Sequence, residues 1–339
     1  MVRLGAVAQA SFNGYYRMIL PMHAMQQRGH EVMHVVQEIG TPFAWELLAD
    51  CDLVHIHRPV LIYDDGAAVD QLYEAGAAVG FDEDDNIADA PIGLEDRTGQ
   101  SWLQRSRRNF DQMLTLAPDV DLVTTPSPHL AARFAAAGAE NVHVVDNYLP
   151  EAFARVAPRG HEGIVIGWHA GDEHLIDAEA LGLETLLRRL LDAHPDVHVV
   201  TVNVELNVEH ERYHHEETVP FERLTQRLAD FDVGIVPLAD IPFNLGRSNV
   251  KAREYAAAGV PWLASPVGAY RELGEREGGL LVAQDEWFDA LSRLIGSSHE
   301  RAEQAKRAKA WAQRETMEQA AEVWERLFIQ TVEDVRAAA

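Results

Sequence analysis

The sequence feature that most constrains the fold is an alternation of short apolar runs with longer amphipathic stretches. Apolar runs of this length predict buried strands, the stretches between them predict helices, and together they indicate parallel βα units. The alternation occurs twice, because Asp146–Pro150 and Ala157–Gly160 interrupt it. The 339 residues suit two domains of ordinary size. The sequence therefore predicts an α/β protein with two domains that face each other across a cleft.

The predicted elements of the first half form one Rossmann-like sheet with its helices. Its strands are predicted at Leu4–Gln9, Glu31–Val36, Leu53–His57, Ala78–Asp82, Leu122–Thr125 and Val142–Val145. Its helices are predicted at Tyr15–Arg28, Asp65–Ala75, Trp102–Leu116 and Pro128–Ala137. Gly29 and Gly138 fall where helix C-caps are expected.

The second half predicts a second Rossmann-like unit. Its strands are predicted at Ile164–Trp168, Val197–Val204, Val233–Val236, Pro261–Ala264 and Gly279–Val282, with a long helix that ends near His194. From Ser298 the chain is charged and Ala-rich through Arg314 and then runs as a helix to the C-terminus, and we expect this final helix to pack back toward the N-terminal domain. The predicted boundaries are 1–155, 156–315 and 316–339.

Composition narrows the class of protein and its partners. A formal net charge of -25 repels nucleic acid and disfavours it as a partner. Nothing approaches the ~18 uninterrupted apolar residues of a membrane span. The N-terminus lacks the features of a secretory signal, and the lone cysteine, Cys51, suits a reducing compartment. These features predict a soluble, cytoplasmic protein.

The segment from Val233 to Ser265 carries the most chemical information. A buried strand ends at Pro237, and a helix is predicted to open near Ser248 and to end at Gly259. Four polar residues cluster at the helix start, where free N–H groups and the positive end of the helix dipole suit a diphosphate: Arg247, Ser248, Asn249 and Lys251. Glu254, one turn on, has oxygens that could accept two ribose hydroxyls. The alternative is an ordinary N-capped helix with charges in solvent.

Here the chain resembles the retaining glycosyltransferases of the GT-B fold, in particular glycosyltransferase family 4. That family carries a Glu-x7-Glu motif whose second Glu begins a Glu-Ala-x-Ala-x-Gly-x-Pro run, which Glu254–Pro261 resembles. The first Glu, which in the family helps hold the transferred sugar, falls at Gly246. A divergent branch has a Lys-Ser-x-x-Lys-x-x-Glu pattern instead, and Arg247–Glu254 is similar to it.

The same branch has a strand end followed by a loop of the Gly-x-x-x-His-x-x-Asp type, and Ile166–Asp177 resembles it. Gly167 and Gly171 would permit close backbone approach to a phosphate or sugar. The resemblance implies donor contacts by Gly167 and His169 and a sugar or acceptor contact by His174. Both histidines could equally be satisfied loop residues.

In the first domain, Ser11–Arg17 follows the first strand and opens a helix. The resemblance implies a glycine loop and an arginine near the diphosphate, which places Gly14 and Arg17 there, although a simple βα turn explains them equally. Arg58, after the third strand, is a second cleft candidate.

Four adjacent carboxylates, from Asp82 to Asp85, end the fourth predicted strand. Their repulsion should raise at least one pKa or be relieved by a cation or by hydroxyl donors. Three interpretations remain: sugar or acceptor hydroxyl binding, a divalent-metal site, or an exposed acidic turn. We favour the first, because enzymes of the GT-B fold generally need no metal. Many family members carry a cleft histidine here, and its absence leaves Asp84 or Asp85 as catalytic candidates, with Asp82 near the sugar.

The resemblance implies transfer of a sugar from a nucleotide-sugar donor with retention of configuration, by front-face attack in which the leaving phosphate helps deprotonate the acceptor. The protein would then mainly position both partners and stabilise the diphosphate, and no cofactor is expected. The acceptor could be a saccharide, a lipid-linked saccharide, a protein or a small molecule. A nucleotide- or sugar-binding protein without transferase activity is one alternative. An enzyme that glycosylates DNA bases is another, if Arg97, Arg105, Arg107 and Arg108 form a basic face.

One further motif points elsewhere. His210-Glu211-Arg212-Tyr213-His214 matches the His-Glu-x-x-His signature of zinc hydrolases. That chemistry needs both histidines on one face of a helix and a third ligand. Because the pentapeptide lacks apolar periodicity, we interpret it as an exposed polar connection.

Overall fold

Two six-stranded parallel sheets organise the chain. The structure, a computed structural model, describes residues 1–8, 14–36, 45–59, 67–91 and 100–338. The first sheet has the order β2-β1-β3-β4-β5-β6. Its strands are β1 (Arg3–Ala8), β2 (Glu31–Val36), β3 (Leu53–His57), β4 (Ala78–Asp82), β5 (Leu122–Thr125) and β6 (Val142–Val144).

The second sheet has the order β12-β11-β10-β7-β8-β9. Its strands are β7 (Ile164–Ala170), β8 (Val197–Asn203), β9 (Tyr213–Glu216), β10 (Val233–Val236), β11 (Trp262–Ala264) and β12 (Gly279–Leu281). The strands at the centre of both sheets are buried on both faces, as parallel strands covered by helices must be. The predicted domain boundaries remain a proposal, and residue 155 falls between the two sheets.

Helices connect the strands and cover both sheets. In the first half a π-helix (Tyr15–Ile19) leads directly into α1 (Leu20–Gln27), and α2 (Ala67–Glu74), α3 (Gln100–Leu116) and α4 (Pro128–Ala136) follow. The second half contains α5 (Leu175–Ala180), α6 (Leu183–Ala193), α7 (Leu224–Leu228), α8 (Pro242–Leu245), α9 (Val250–Ala257), α10 (Trp287–Gly296) and α11 (Ser298–Ala312). Gly29 and Gly138 have the positive φ angles, 91° and 107°, of the predicted C-caps.

The last helix, α12 (Met317–Ala338), returns to the first sheet, as predicted. Its Trp324 and Phe328 are fully buried in the cluster that contains Leu4 and Met22. Burial of aromatic side chains of this size contributes roughly 2–3 kcal/mol each. The chain therefore crosses between the two halves twice, and α12 fastens its C-terminal end to the first sheet.

The helix predicted at 316–339 is α12 (Met317–Ala338). Two other predictions about elements were wrong in detail. The long helix before His194 is two helices, α5 and α6, separated at Gly182 with a φ of 61°. The sequence analysis missed β9, because this edge strand has only polar and half-buried residues and no apolar alternation. In the described part of the chain, no helix is both long and apolar enough to span a membrane.

Candidate functional site

The carboxyl ends of the two sheets face one cavity. It has an empty volume of about 540 Å³, part of it open to solvent. The first domain contributes Asp84 and Asp85, which follow β4. The second domain contributes the residues after β7 and β10 and the start of α9: Glu173, His174, Val236, Leu238, Arg247, Ser248, Val250, Lys251 and Tyr270. Ligands of open α/β sheets bind at this edge, where loops and helix N-termini meet.

The acidic run after β4 is neutralised within the first domain. Arg58 donates from Nε to Asp84 Oδ1 at 2.8 Å and from Nη2 to Asp85 Oδ2 at 2.6 Å. Arg58 directly follows β3 and has a φ of 50°, an uncommon backbone conformation for a residue other than glycine. His57 Nε2 lies 3.2 Å from the same Asp84 oxygen. The run is therefore a buried ion-pair cluster and not an exposed acidic turn.

The pKa values of Glu83 and Asp84 are shifted in opposite directions. Burial, reinforced by Asp84 and Asp85, raises the pKa of Glu83 to about 8 although Arg58 opposes it. Burial alone would also raise the pKa of Asp84, but Arg58 and His57 hold it well below its usual range. The prediction that at least one pKa would rise or that a cation would relieve the repulsion is confirmed on both counts.

Asp82 has a different partner. The Arg17 guanidinium binds it with two hydrogen bonds, Nε to Oδ1 at 2.9 Å and Nη2 to Oδ2 at 2.7 Å. Both side chains are fully buried. Arg17 also donates from Nη1 to the carbonyl oxygen of Val145 and to Asn147 Oδ1. A direct contact between Arg17 and a diphosphate stays a prediction, and the structure gives the guanidinium other partners.

Helix α9 carries a buried cluster of ionisable groups. Lys251 Nζ lies 3.1 Å from His169 Nδ1 and 3.4 Å from Glu254 Oε2. Across the cleft, the Tyr16 hydroxyl donates to Glu254 Oε1 at 2.6 Å. Burial alone would raise the pKa of Glu254, but Lys251, His169 and Tyr16 lower it to about 2. Glu254 is thus an ionised, buried acceptor at the position where the sequence predicts a ribose contact.

Arg247 connects the two sides of the cavity. Its Nη1 lies 3.1 Å from Asp85 Oδ1 of the first domain and 3.5 Å from Glu173 Oε1 of the second. Burial alone would raise the pKa of Glu173, but Arg247 and His174 lower it to about 2. The cavity therefore places cations from the start of α9 beside carboxylates from both domains.

His174 faces the cavity with a fixed orientation. Its Nδ1 lies 2.8 Å from Asp177 Oδ2. The other Asp177 oxygen accepts from the backbone N–H of Ala239 at 2.9 Å and from Asn244 Nδ2 at 2.6 Å. Because the carboxylate only accepts, it binds the protonated Nδ1, and Nε2 lies 3.9 Å from Glu173 Oε1.

Gly246, where the family has a glutamate, lies at the contact between the domains. A Cβ atom at this position would lie 2.3 Å from Asn86 Cβ. Real atoms do not approach so closely, so any larger residue would push the domains apart. The departure from the family motif thus coincides with a direct contact between the N-terminal and C-terminal halves.

The two glycines of the β7 loop are explained by close packing. A Cβ on Gly167 would lie 1.9 Å from the Phe231 ring, and one on Gly171 would lie 2.1 Å from a carboxylate oxygen of Glu173. Gly167 therefore lets the core pack against β7. Gly171 lets the Glu173 carboxylate fold back over the loop.

Eight predicted site residues do not line the cavity: Gly14, Arg17, Arg58, Asp82, Gly167, His169, Asn249 and Glu254. Asn249 is buried, and its Oδ1 accepts from Arg253 Nε at 2.8 Å. Gly14 is buried at the start of the π-helix. Ser11, Phe12 and Asn13 of the same predicted loop, and Arg97 of the proposed basic face, lie outside the described residues.

Sequence reasoning missed several residues of the site. Asn147, Glu173, Asp177 and Tyr270 line the cavity or contact a residue that lines it, and Tyr16 donates to Glu254. Asp177 carried a signal, since it ends the His-x-x-Asp spacing of the loop after β7. Asn147 carried none, because the stretch Asp146–Pro150 has the composition of a linker.

The zinc-hydrolase alternative lacks its structural frame. His210 lies in a turn and His214 in the edge strand β9, so the pair does not share a helix face. The interpretation of this pentapeptide as an exposed polar connection was incomplete, because its Tyr213 and His214 belong to β9 and pair with β8. Within the described ranges, no three His, Cys, Asp or Glu side chains converge as metal ligands would.

Comparisons with solved structures identify the architecture. HepE from Anabaena, in complex with UDP and glucose, superimposes with a TM-score of 0.66 at 15% identity, over 98% of this chain and 99% of that one. An alpha-glucosyltransferase in complex with UDP-glucose and DNA containing an abasic site gives 0.67 at 10% identity, over 97% and 99%. A candidate UDP-N-acetylglucosamine 2-epimerase from Listeria monocytogenes gives 0.60 at 13% identity, over 98% and 97%.

The chain has the GT-B fold. No known protein family and no curated protein matches the sequence. One of these proteins is named as a glucosyltransferase and another as a candidate epimerase, so the GT-B fold by itself does not decide the activity of this chain.

Proposed function

We propose that this protein is a glycosyltransferase that takes a sugar from a nucleoside diphosphate sugar and transfers it to an acceptor with retention of configuration. One observation carries the proposal. Arg247, Ser248 and Lys251 at the start of α9 line the same cavity as Asp84 and Asp85 of the facing domain. Such a cavity has donors for a diphosphate on one side and acceptors for hydroxyl groups on the other.

On the donor side, Arg247 and Lys251 would neutralise the diphosphate, and the positive end of the α9 dipole would favour its charge. The diphosphate would take the place that Asp85 and Glu173 now hold at Arg247. Glu254, ionised at neutral pH, would accept ribose hydroxyls. Stabilisation of the leaving diphosphate is then the main contribution of this domain to the reaction.

On the acceptor side, Asp84 and Asp85 would accept hydrogen bonds from hydroxyl groups of the acceptor or the sugar. His174 lies on the same cavity wall. We propose no bound metal, because Arg58 already neutralises the two carboxylates. The resemblance to the divergent branch of family 4 supports front-face attack, in which the diphosphate itself helps to deprotonate the acceptor.

A screen of UDP-, GDP- and ADP-sugars by thermal shift tests the donor, since a bound ligand stabilises the native state. With the donor found, release of the nucleoside diphosphate is measured with a panel of saccharide and lipid-linked acceptors, and NMR of the product shows the anomer. We expect the donor anomer to be retained. An isomerised sugar released without any acceptor would assign an epimerase instead.

Lys251→Ala ties this activity to the cavity. Loss of a charged hydrogen bond should weaken donor binding by about 1.5–3 kcal/mol, which is ~10- to ~150-fold. Lys306→Ala, which removes an exposed lysine of α11, is the matched control and should bind as the unmodified protein does. Equal donor affinity of Lys251→Ala and the control in calorimetry would refute the site.

A further inference from the structure

A path of buried hydrogen bonds joins the first domain to the start of the donor helix. Arg17 Nη1 donates to Asn147 Oδ1 at 2.9 Å. Asn147 Nδ2 in turn donates to Ser248 Oγ at 3.1 Å. Arg17 is fully buried, Asn147 is 3% exposed, and Ser248 lines the cavity.

The direction of every bond in this path follows from the chemistry of Arg17. A guanidinium carries only donors, so the Asn147 atom that faces it must be the amide oxygen. The amide nitrogen then faces Ser248 and donates to it. Because the Ser248 oxygen accepts this bond along one lone pair, its own proton must point elsewhere. Ser248 lines the cavity, so its hydroxyl can donate to a group bound there.

Arg17 itself cannot turn away, because both of its ends are held. Asp82 accepts from Nε and Nη2, and the carbonyl oxygen of Val145 accepts from Nη1. Asp82 in turn accepts the Thr124 hydroxyl proton. The buried ion pair thus fixes the direction of the bonds as well as the position of the groups.

We propose that Asn147 is a positioning residue that holds the Ser248 hydroxyl as a donor to a phosphate oxygen of a nucleoside diphosphate. This inference rests on the proposed function, because it takes the cavity as the diphosphate site. It also gives Arg17 a role in donor binding without contact to the donor. The Arg17–Asp82 pair acts through Asn147 on the one hydroxyl at the start of α9.

Asn147→Asp reverses the hydrogen bond to Ser248 and keeps the one from Arg17. An aspartate still accepts from Arg17, so the buried guanidinium stays satisfied, but it also accepts from Ser248 and withdraws that proton from the cavity. We expect the affinity for UDP, GDP or ADP, whichever binds the unmodified protein, to fall at least ~10-fold in calorimetry. The affinity for the matching nucleoside, which has no phosphate, should stay the same.

The added charge is controlled with a neighbouring asparagine. Like Asn147, Asn249 is buried and accepts a hydrogen bond from an arginine, here Arg253. Asn249→Asp therefore adds the same negative charge next to Ser248 in the sequence, without a contact to the Ser248 hydroxyl. We expect Asn249→Asp to lower the affinity for the nucleoside diphosphate less than ~3-fold. In a Ser248→Ala background, Asn147→Asp should lose only this smaller amount.

Ser248→Ala tests the same hydrogen bond without any change at Arg17. It should weaken diphosphate binding ~10-fold or more, and Ser248→Thr, which keeps the hydroxyl, should restore it. Full diphosphate affinity in Ser248→Ala, or an equal loss for nucleoside and diphosphate in Asn147→Asp, overturns the inference. An unmodified protein that binds none of the three diphosphates contradicts the proposed function itself.

Discussion

The two sides of the cavity are built in different ways. The donor side takes its cations and Glu254 from one short stretch, Arg247–Glu254, at the start of a single helix. The acceptor side assembles its carboxylates with partners from four separate strand ends: Arg17 beyond β1, Arg58 beyond β3, the run beyond β4 and Asn147 beyond β6. The donor side is thus local in sequence, whereas the acceptor side exists only after the first sheet has formed.

This difference has an energetic consequence. On the acceptor side the buried pair Arg17–Asp82 lies inside one domain, so its loss should act mainly on stability. On the donor side Glu254 and Arg247 meet partners across the cleft, Tyr16 and Asp85, so their loss should act mainly on binding. The four predictions below test this division, from the largest expected effect to the smallest.

Arg17→Met should destabilise the protein by about 3–5 kcal/mol, because it leaves the fully buried Asp82 carboxylate without its cation. Urea denaturation measures the free energy of unfolding. The double variant Arg17→Met/Asp82→Asn should recover part of the loss, since it removes the unpaired charge. Arg336→Ala, which breaks the exposed pair with Asp52, should cost less than about 1 kcal/mol. Equal costs for Arg17→Met and Arg336→Ala would contradict the comparison.

Glu254→Ala should weaken binding of the nucleotide sugar by about 1.5–3 kcal/mol, because the ribose loses a charged acceptor. Its effect on unfolding should be smaller than that of Arg17→Met. Calorimetric titration gives the affinity, with Glu303→Ala on the exposed face of α11 as the matched control. If Glu254→Ala instead lowers the free energy of unfolding and leaves the affinity for the nucleotide sugar unchanged, Glu254 stabilises the fold and does not bind the donor.

Gly246→Ala should lower transferase activity about 10-fold without loss of the fold of either half. The added methyl group would lie 2.3 Å from Asn86 Cβ, and such overpacking costs about 1–3 kcal/mol. We expect the domains to separate slightly, which small-angle scattering detects as a larger radius of gyration. Gly296→Ala, where a Cβ meets nothing within 4 Å, serves as the control. An unchanged radius and rate would show that Gly246 does not limit closure.

The smallest expected effect is a change of the free energy of unfolding with pH. The pKa of Glu83 is raised from 4.5 to about 8, so its contribution to stability is complete below about pH 4.5 and is lost as the pH rises toward 8. Glu83→Gln should remove this part of the slope, on the order of 1 kcal/mol or less per pH unit. Urea denaturation from about pH 5 to pH 8 measures it. If the free energy of unfolding changes with pH equally in the unmodified protein and in Glu83→Gln, the raised pKa does not belong to Glu83.

Much of the fold was predictable, because buried parallel strands are continuous apolar runs and helix ends carry their own signals. β3, β4, β5 and β10 lie where the sequence predicts them, and Gly29 and Gly138 cap their helices. β9 was not predictable, since it is an edge strand without an apolar pattern. The break at Gly182 was missed because the apolar periodicity of the two helices is nearly continuous across it.

The sequence by itself determined the two α/β units, the acidic strand end and the cluster that opens α9, because these are local patterns of a few residues. Only the tertiary structure decided their partners. Arg17 faces Asp82 and not the open cavity, Gly246 meets Asn86, and Asn147 reaches Ser248 from a stretch with the composition of a linker. Such pairs are separated by tens to hundreds of residues, and hydrogen bonds and steric contacts act only where folding brings atoms within a few ångströms.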